Sequence, residues 1–237
     1  MKKNKENYSR SANRISPWVI AAERVSKVVF RLEGDPYSGT CFAVSCAETR
    51  NTPGHVFMFA TAYHVVKNRK PGSLLRLTSS DETIVVDSTT SDISVVPPSL
   101  PEYDIALVFV KSSDPLIPRD HLLPLLDYEY YPPRGAELGW LGYPIVAWPQ
   151  LCFFRGSLSG YLPAPPAYLI DGVSINGVSG GPAFNQDGVI FAAVQSYIPN
   201  CIAGNITLPG LMGAVPISDL SRWMTRNLKT IDLPSAT

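Results

Sequence analysis

Neither sign of charge is in excess in this chain of 237 residues, where 20 Lys and Arg balance 20 Asp and Glu. A dedicated nucleic-acid binder needs a basic surplus to release phosphate counterions, so no nucleic-acid partner is expected. Histidine is scarce, with three copies, and cysteine is sparse, with four. A His-rich metal site would need all three histidines to converge. Cys41, Cys46, Cys152 and Cys201 form no C-x-x-C pair, which removes a zinc knuckle or a redox motif. Cys41 and Cys46 share one extended run and would lie roughly 16 Å apart, too far for a disulfide; a Cys152–Cys201 bridge stays open. Long apolar runs are also missing. The basic lead-in 1–14 is followed by Ser16, Pro17, Glu23 and Arg24, which interrupt any signal-peptide core. The uncharged stretch 188–218 contains Gln195, Pro199, Asn200, Asn205 and Pro209, which could not stay satisfied as a helix in lipid. These absences predict a cytoplasmic protein in a reducing compartment, with no membrane partner.

What the chain does have is proline, 22 copies, about twice the usual share of roughly 5%. So many breakers leave little room for long helices. Hydrophobic residues make up 45%, enough for a globular core. Short Val-, Ile- and Phe-rich segments bounded by Gly, Pro, Asn or Ser recur every 10 to 15 residues, and this pattern predicts about twelve strands. The predicted class is all-β. The Pro-rich stretch 112–125 reads as a linker between two halves. The expected division is a basic disordered tail over 1–18, a first barrel over 19–115, a second over 116–216, and a helix and tail over 217–237. The tail could also serve as a docking arm. Leu220, Trp223, Met224 and Leu228 are spaced as one helical stripe within 217–229, and Ser218 can cap it.

Three short motifs carry chemistry. Thr61-Ala62-Tyr63-His64 follows an apolar strand. Asp104-Ile105-Ala106-Leu107 opens another. Gly177-Val178-Ser179-Gly180-Gly181-Pro182 lies between strands of the second half. Serine keeps its proton at neutral pH, so it attacks a carbonyl only when an imidazole accepts that proton. A carboxylate must in turn hold the imidazole in the right tautomer. The glycines let the backbone turn sharply and aim the N–H groups of Gly177 and Ser179 at a developing oxyanion. Gly177-x-Ser179-x-Gly181 also spells the nucleophile elbow of α/β-hydrolases. In that fold the histidine follows the serine, whereas His55, His64 and His121 all precede Ser179. His55 and His121 read as structural. Asp81, Asp87 and Asp92 sit in turn-like stretches without a strand to bury an orienting group. Ser174 lacks the following Gly-Gly and reads as pocket wall. Tyr128, Tyr130 and Tyr131 read as surface packing, with substrate contact as the alternative.

These motifs, in this order, resemble those of trypsin-like (chymotrypsin-fold) serine proteases. Gly39-Thr40-Cys41-Phe42 resembles the family's Gly-x-Gly-Phe strand, with Cys41 in place of the second glycine. The other three motifs resemble T-A-x-H, D-I-A-L and G-D-S-G-G-P. Gly142-Tyr143-Pro144 and the 156–160 turn are similar to the HtrA-like branch. The resemblance covers residues 20–230 and implies two six-stranded antiparallel barrels packed together, with a closing helix. It implies an endopeptidase with His64, Asp104 and Ser179 as catalytic triad and Gly177 and Ser179 as oxyanion hole, without metal or cofactor. Its partners would be a protein or peptide substrate and, since such an enzyme needs restraint, a regulatory protein. The alternative is a catalytically silent or partner-activated scaffold on the same fold.

Two departures matter. Val178 stands where activated members have an Asp that pairs with a newly released N-terminus. Valine cannot form that ion pair, so N-terminal trimming is not expected to switch this chain on. Val173 stands where the resemblance puts the base of the specificity pocket, and Ser196-Tyr197-Ile198 where it puts the strand that pairs with substrate backbone. These residues predict cleavage after small or medium apolar side chains. A loop shift that brought Asp171 into the pocket would restore basic specificity.

Overall fold

The structure is a computed structural model that describes residues 15–34, 38–48, 54–70, 73–89, 91–96, 103–123, 131–202, 206–218 and 220. It is mostly β, as expected. The first half contributes β1 (Val29–Gly34), β2 (Ser38–Glu48), β3 (His55–Thr61), β4 (Leu75–Ser79), β5 (Val85–Asp87), β6 (Asp92–Val96) and β7 (Ala106–Ser112). They form one antiparallel sheet in the order β5-β4-β1-β2-β3-β7-β6. The second half contributes β8 (Glu137–Gly142), β9 (Cys152–Pro163), β10 (Pro166–Asp171), β11 (Pro182–Phe184), β12 (Ile190–Ile202) and β13 (Ile206–Pro216). These close into a barrel in the order β10-β13-β12-β11-β8-β9.

The described residues therefore hold seven strands in the first sheet and six in the second, where two sets of six were expected. The three-residue β11 follows the glycines after Ser179 and is too short to show a periodic signal. It exists because β8 and β12 pair with it on both sides. Buried residues of β3 such as Phe57 and Phe59 share one core with Tyr143, Phe184 and Val215 of the second half. The two sheets are thus joined by packed apolar surface, which holds any site at their seam in fixed geometry.

Residues 17 and 18, expected as the end of the tail, instead open a helix, α1 (Pro17–Ser26). Its start signals are in the sequence: the Ser16 hydroxyl accepts from the Trp18 amide at 3.3 Å, and Pro17 opens the first turn. Trp18, Ala21 and Val25 form its buried stripe. The helix precedes the first sheet in sequence but docks on the second. The Trp18 ring lies 6.0 Å from that of Phe153 and 6.3 Å from that of Phe184, and its Nε1 donates to Glu137 at 3.2 Å. A side chain at Gly139 would meet the Trp18 ring at 2.7 Å, so only glycine fits beneath it. Of the expected closing helix, 217, 218 and 220 are helical and the rest lies outside the described residues. Residues 1–14 also lie outside them.

Cys41, Cys46 and Cys152 are free thiols, so the bridge left open from Cys152 does not form in this structure. Burial pushes the Cys41 thiol well above its ordinary value and keeps it inert. Trp18→Ala, by removing the ring that ties α1 to the second barrel, is expected to lower stability by about 3–5 kcal/mol in urea unfolding.

Candidate active site

His64 sits on α2 (Tyr63–Val66), the single helical turn that β3 runs into. Asp104 lies two residues before β7. Because Thr61 pairs with Ala106 across β3 and β7, both residues leave the sheet at the same end. The carboxylate then holds His64 twice. Oδ1 accepts from the His64 amide at 2.7 Å, and Oδ2 lies 2.6 Å from Nδ1. The Asp104 carbonyl accepts from the Tyr63 amide at 3.3 Å. A neutral imidazole that donates from Nδ1 keeps a lone pair on Nε2, the arrangement a proton acceptor requires.

Ser179 lies between β10 and β11. Gly180, at φ +85°, brings the chain so near β2 that a Cβ there would stand 2.2 Å from the Thr40 carbonyl. Gly177, at φ +98°, is similarly close to the Tyr143 carbonyl. Both turns need glycine. The Ile145 amide donates to the Asn176 carbonyl at 2.8 Å. A peptide plane is rigid, so this bond turns the Gly177 N–H the opposite way. Among the described residues, the amides of Gly177 and Ser179 have no acceptor. Two such donors can hold an oxyanion. The Ser179 hydroxyl donates to the Gln195 carbonyl at 3.1 Å rather than to His64. Gln195 presents that carbonyl at the register shift between Val194 and Ser196 in β12.

His64, Gly177 and Ser179 line one cleft of about 740 Å³ with Ser38, Lys67, Ile145 and Trp148. Val173 is not brought there. It is 58% exposed, in the loop where Gly172 turns tightly against the Trp140 ring. Asp171 is exposed at the end of β10, paired in register with Ser157. Ser196, Tyr197 and Ile198 lie on β12 opposite Gly213, Met212 and Leu211; their side chains fall outside the described residues. His55 opens β3 and His121 lies in the short turn Arg119–His121, so neither lines the cleft. The other aspartates are engaged locally. The Ser79 and Thr83 hydroxyls hold the Asp81 carboxyl below its usual range. Asp87 pairs with Arg76, and Asp92 with Lys111. Tyr131 packs edge-on against Tyr161 at 5.6 Å; Tyr128 and Tyr130 lie outside the described residues. Val178 is buried in the core of the second barrel.

One residue that sequence reasoning treated only as part of a strand proves central. Thr40 is fully buried. Its amide donates to the Ser179 carbonyl at 2.9 Å, and its hydroxyl donates to the Gly177 carbonyl at 2.8 Å. The same hydroxyl accepts from the Tyr143 amide at 3.0 Å. Its place in Gly39-Thr40-Cys41-Phe42 was the available signal.

Two barrel-like sheets with such a loop at their seam define the chymotrypsin-like fold. A family model described as "Trypsin-like peptidase domain" matches residues 39–192, more than half of the chain. The chain belongs to the trypsin-like peptidase domain family. Among solved structures, it is similar to an inactive form of Rv3671c from M. tuberculosis H37Rv, crystallised as a serine-to-alanine mutant. The identity is 16%, the match covers 89% of this chain and 91% of that one, and the TM-score is 0.60. At that identity the likeness concerns the fold. No curated protein matches the sequence.

Thr40→Val keeps the shape but leaves the Gly177 carbonyl and the Tyr143 amide without a partner. Thermal unfolding is expected to show a loss of about 1–3 kcal/mol for each orphaned group, with Thr40→Ser recovering most of it.

Proposed function

We propose that the protein is a serine endopeptidase that works through an acyl-enzyme. The observation that carries this reading is the doubly held His64–Asp104 pair facing one cleft with Ser179 and two unoccupied amides. Ser179 attacks the substrate carbonyl as His64 Nε2 takes its proton. Asp104 stabilises the imidazolium and keeps its tautomer. The Gly177 and Ser179 amides stabilise the oxyanion. His64 then protonates the leaving amine, and water repeats the sequence on the acyl group. The Gln195 bond must release the Ser179 hydroxyl first. Catalytic hydrogen bonds are often misaligned before substrate binds.

That same bond favours a second reading, a silent or partner-activated protein in which the hydroxyl stays parked on Gln195. Val178, buried in the barrel core, supports independence from N-terminal release, because it offers a newly released amine no charge to pair with. Ile198, on β12, offers no carboxylate for Lys or Arg, which supports cleavage after small or medium apolar residues. Three free thiols accord with a reducing, cytoplasmic setting. Among the described residues, no helix is long and apolar enough to cross a membrane.

A fluorophosphonate probe separates the two readings. The untrimmed wild type is expected to label at Ser179, and Ser179→Ala is not. His64→Ala should label slower by at least about 10³-fold. Failure of the folded wild type to label, or labelling only after N-terminal trimming, would overturn the corresponding part of the reading. Cleavage-site profiling is expected to return small and medium apolar residues before the cut; a profile dominated by Lys and Arg would refute this.

A further inference from the structure

We propose that the cleft beside Ser179 receives the leaving-group side of the substrate and selects acidic residues just after the scissile bond, with Lys67 as the selecting charge. This rests on the peptidase reading and deepens it. The cleft runs from Gly177 and Ser179 to Ser38, His64, Val65 and Lys67. It therefore extends along the imidazole, the group that meets the leaving amine. Lys67 follows His64 by three residues, and its amide donates to the Tyr63 carbonyl to complete the helical turn at 2.8 Å. Residues three apart share one face of a helix. His64 is the group that hands a proton to the departing amine, so a departing chain runs past the side chain one turn further on.

The electrostatics favour one sign. Lys67 is exposed and has no acidic partner among the described residues, and the residues lining the cleft include no carboxylate. Asp104 is engaged by His64 behind it. Arg69 and Lys70 follow directly in sequence. The cleft also has an apolar lining, from Ile145 and Trp148. Trp148 is fixed there by the Tyr143 ring, edge-on at 6.2 Å, and by the Arg31 guanidinium, 5.4 Å from its centroid. Arg31 is itself paired with Glu33 and Glu82. The unbalanced charge in the cleft is thus that of Lys67. An acidic side chain would place its methylenes on the apolar lining and its carboxylate near the ammonium.

The test uses peptides identical up to the scissile bond and carrying Asp, Glu, Ala or Lys at the first two positions after it. Acidic peptides are expected to exceed the Ala peptide in kcat/KM by about fivefold, the effect of one exposed ion pair, and the Lys peptide by more. The preference should shrink with added salt and invert in Lys67→Glu. Equal rates across the set in an enzyme that labels at Ser179, or an acidic preference that survives in Lys67→Glu, would overturn the proposal and leave the peptidase reading standing. A second arm does not need turnover: binding of the leaving-group peptides to Ser179→Ala, followed by NMR titration. Tighter binding of acidic peptides, inverted by Lys67→Glu, supports the proposal even in a protein that fails to label, whereas indifference to peptide charge defeats it.

Discussion

The buried hydroxyl of Thr40 couples the two halves of this molecule. It ties the Gly177 carbonyl to the Tyr143 amide, while the threonine's own amide holds the Ser179 carbonyl and its carbonyl accepts from the Thr61 hydroxyl. One residue on β2, through its side chain and its backbone, thereby fixes the loop carrying the serine, the peptide before Val178 and the end of the strand leading to His64. These groups have no water to fall back on, so the position of each depends on the others. Gly180 is part of the same constraint, since its backbone approaches Thr40 more closely than any side chain allows.

That coupling matters because the groups of the proposed catalytic site come from different sheets. His64 and Asp104 leave the first sheet together, and their alignment follows from the pairing of β3 with β7. Ser179 and its neighbouring amides belong to the second. Their meeting is a property of the seam. The seam is held by a shared apolar core and by α1, which reaches from the start of the first sheet to the strands of the second through Trp18. Sites built on packed elements keep their geometry when loops around them vary, a requirement for attack on a carbonyl, where small displacements cost large factors in rate.

The cleft is also uneven in charge and texture. Part of its lining is aromatic and aliphatic, and Trp148 lies against the guanidinium of Arg31, itself paired with two glutamates. Lys67, one helical turn from the imidazole, carries an ammonium with no acidic partner among the described residues. Such an arrangement separates two tasks: the apolar lining contributes area without direction, and the charge contributes direction with little affinity.

Much of this was legible in the sequence because it is local. Strand segments show as short apolar runs bounded by breakers. The residue types around His64, Asp104 and Ser179 follow from what serine chemistry needs, and their order along the chain excluded the other serine-hydrolase fold. Even α1 had its signals in Ser16, Pro17 and the spacing of Trp18, Ala21 and Val25, although the basic residues before them pointed to a tail. What the sequence could not contain was anything decided by two distant segments at once. The pairing that makes three-residue β11 a strand, the Gln195 carbonyl that receives the Ser179 hydroxyl, the outward turn of Val173 and the convergence on Thr40 all arise between residues far apart in the chain. The sequence by itself determined which groups could act, because chemistry resides in residue types and short spacings. Only the tertiary structure decided which of them meet and which way they face, because hydrogen bonds and packing across the seam have no counterpart in local order.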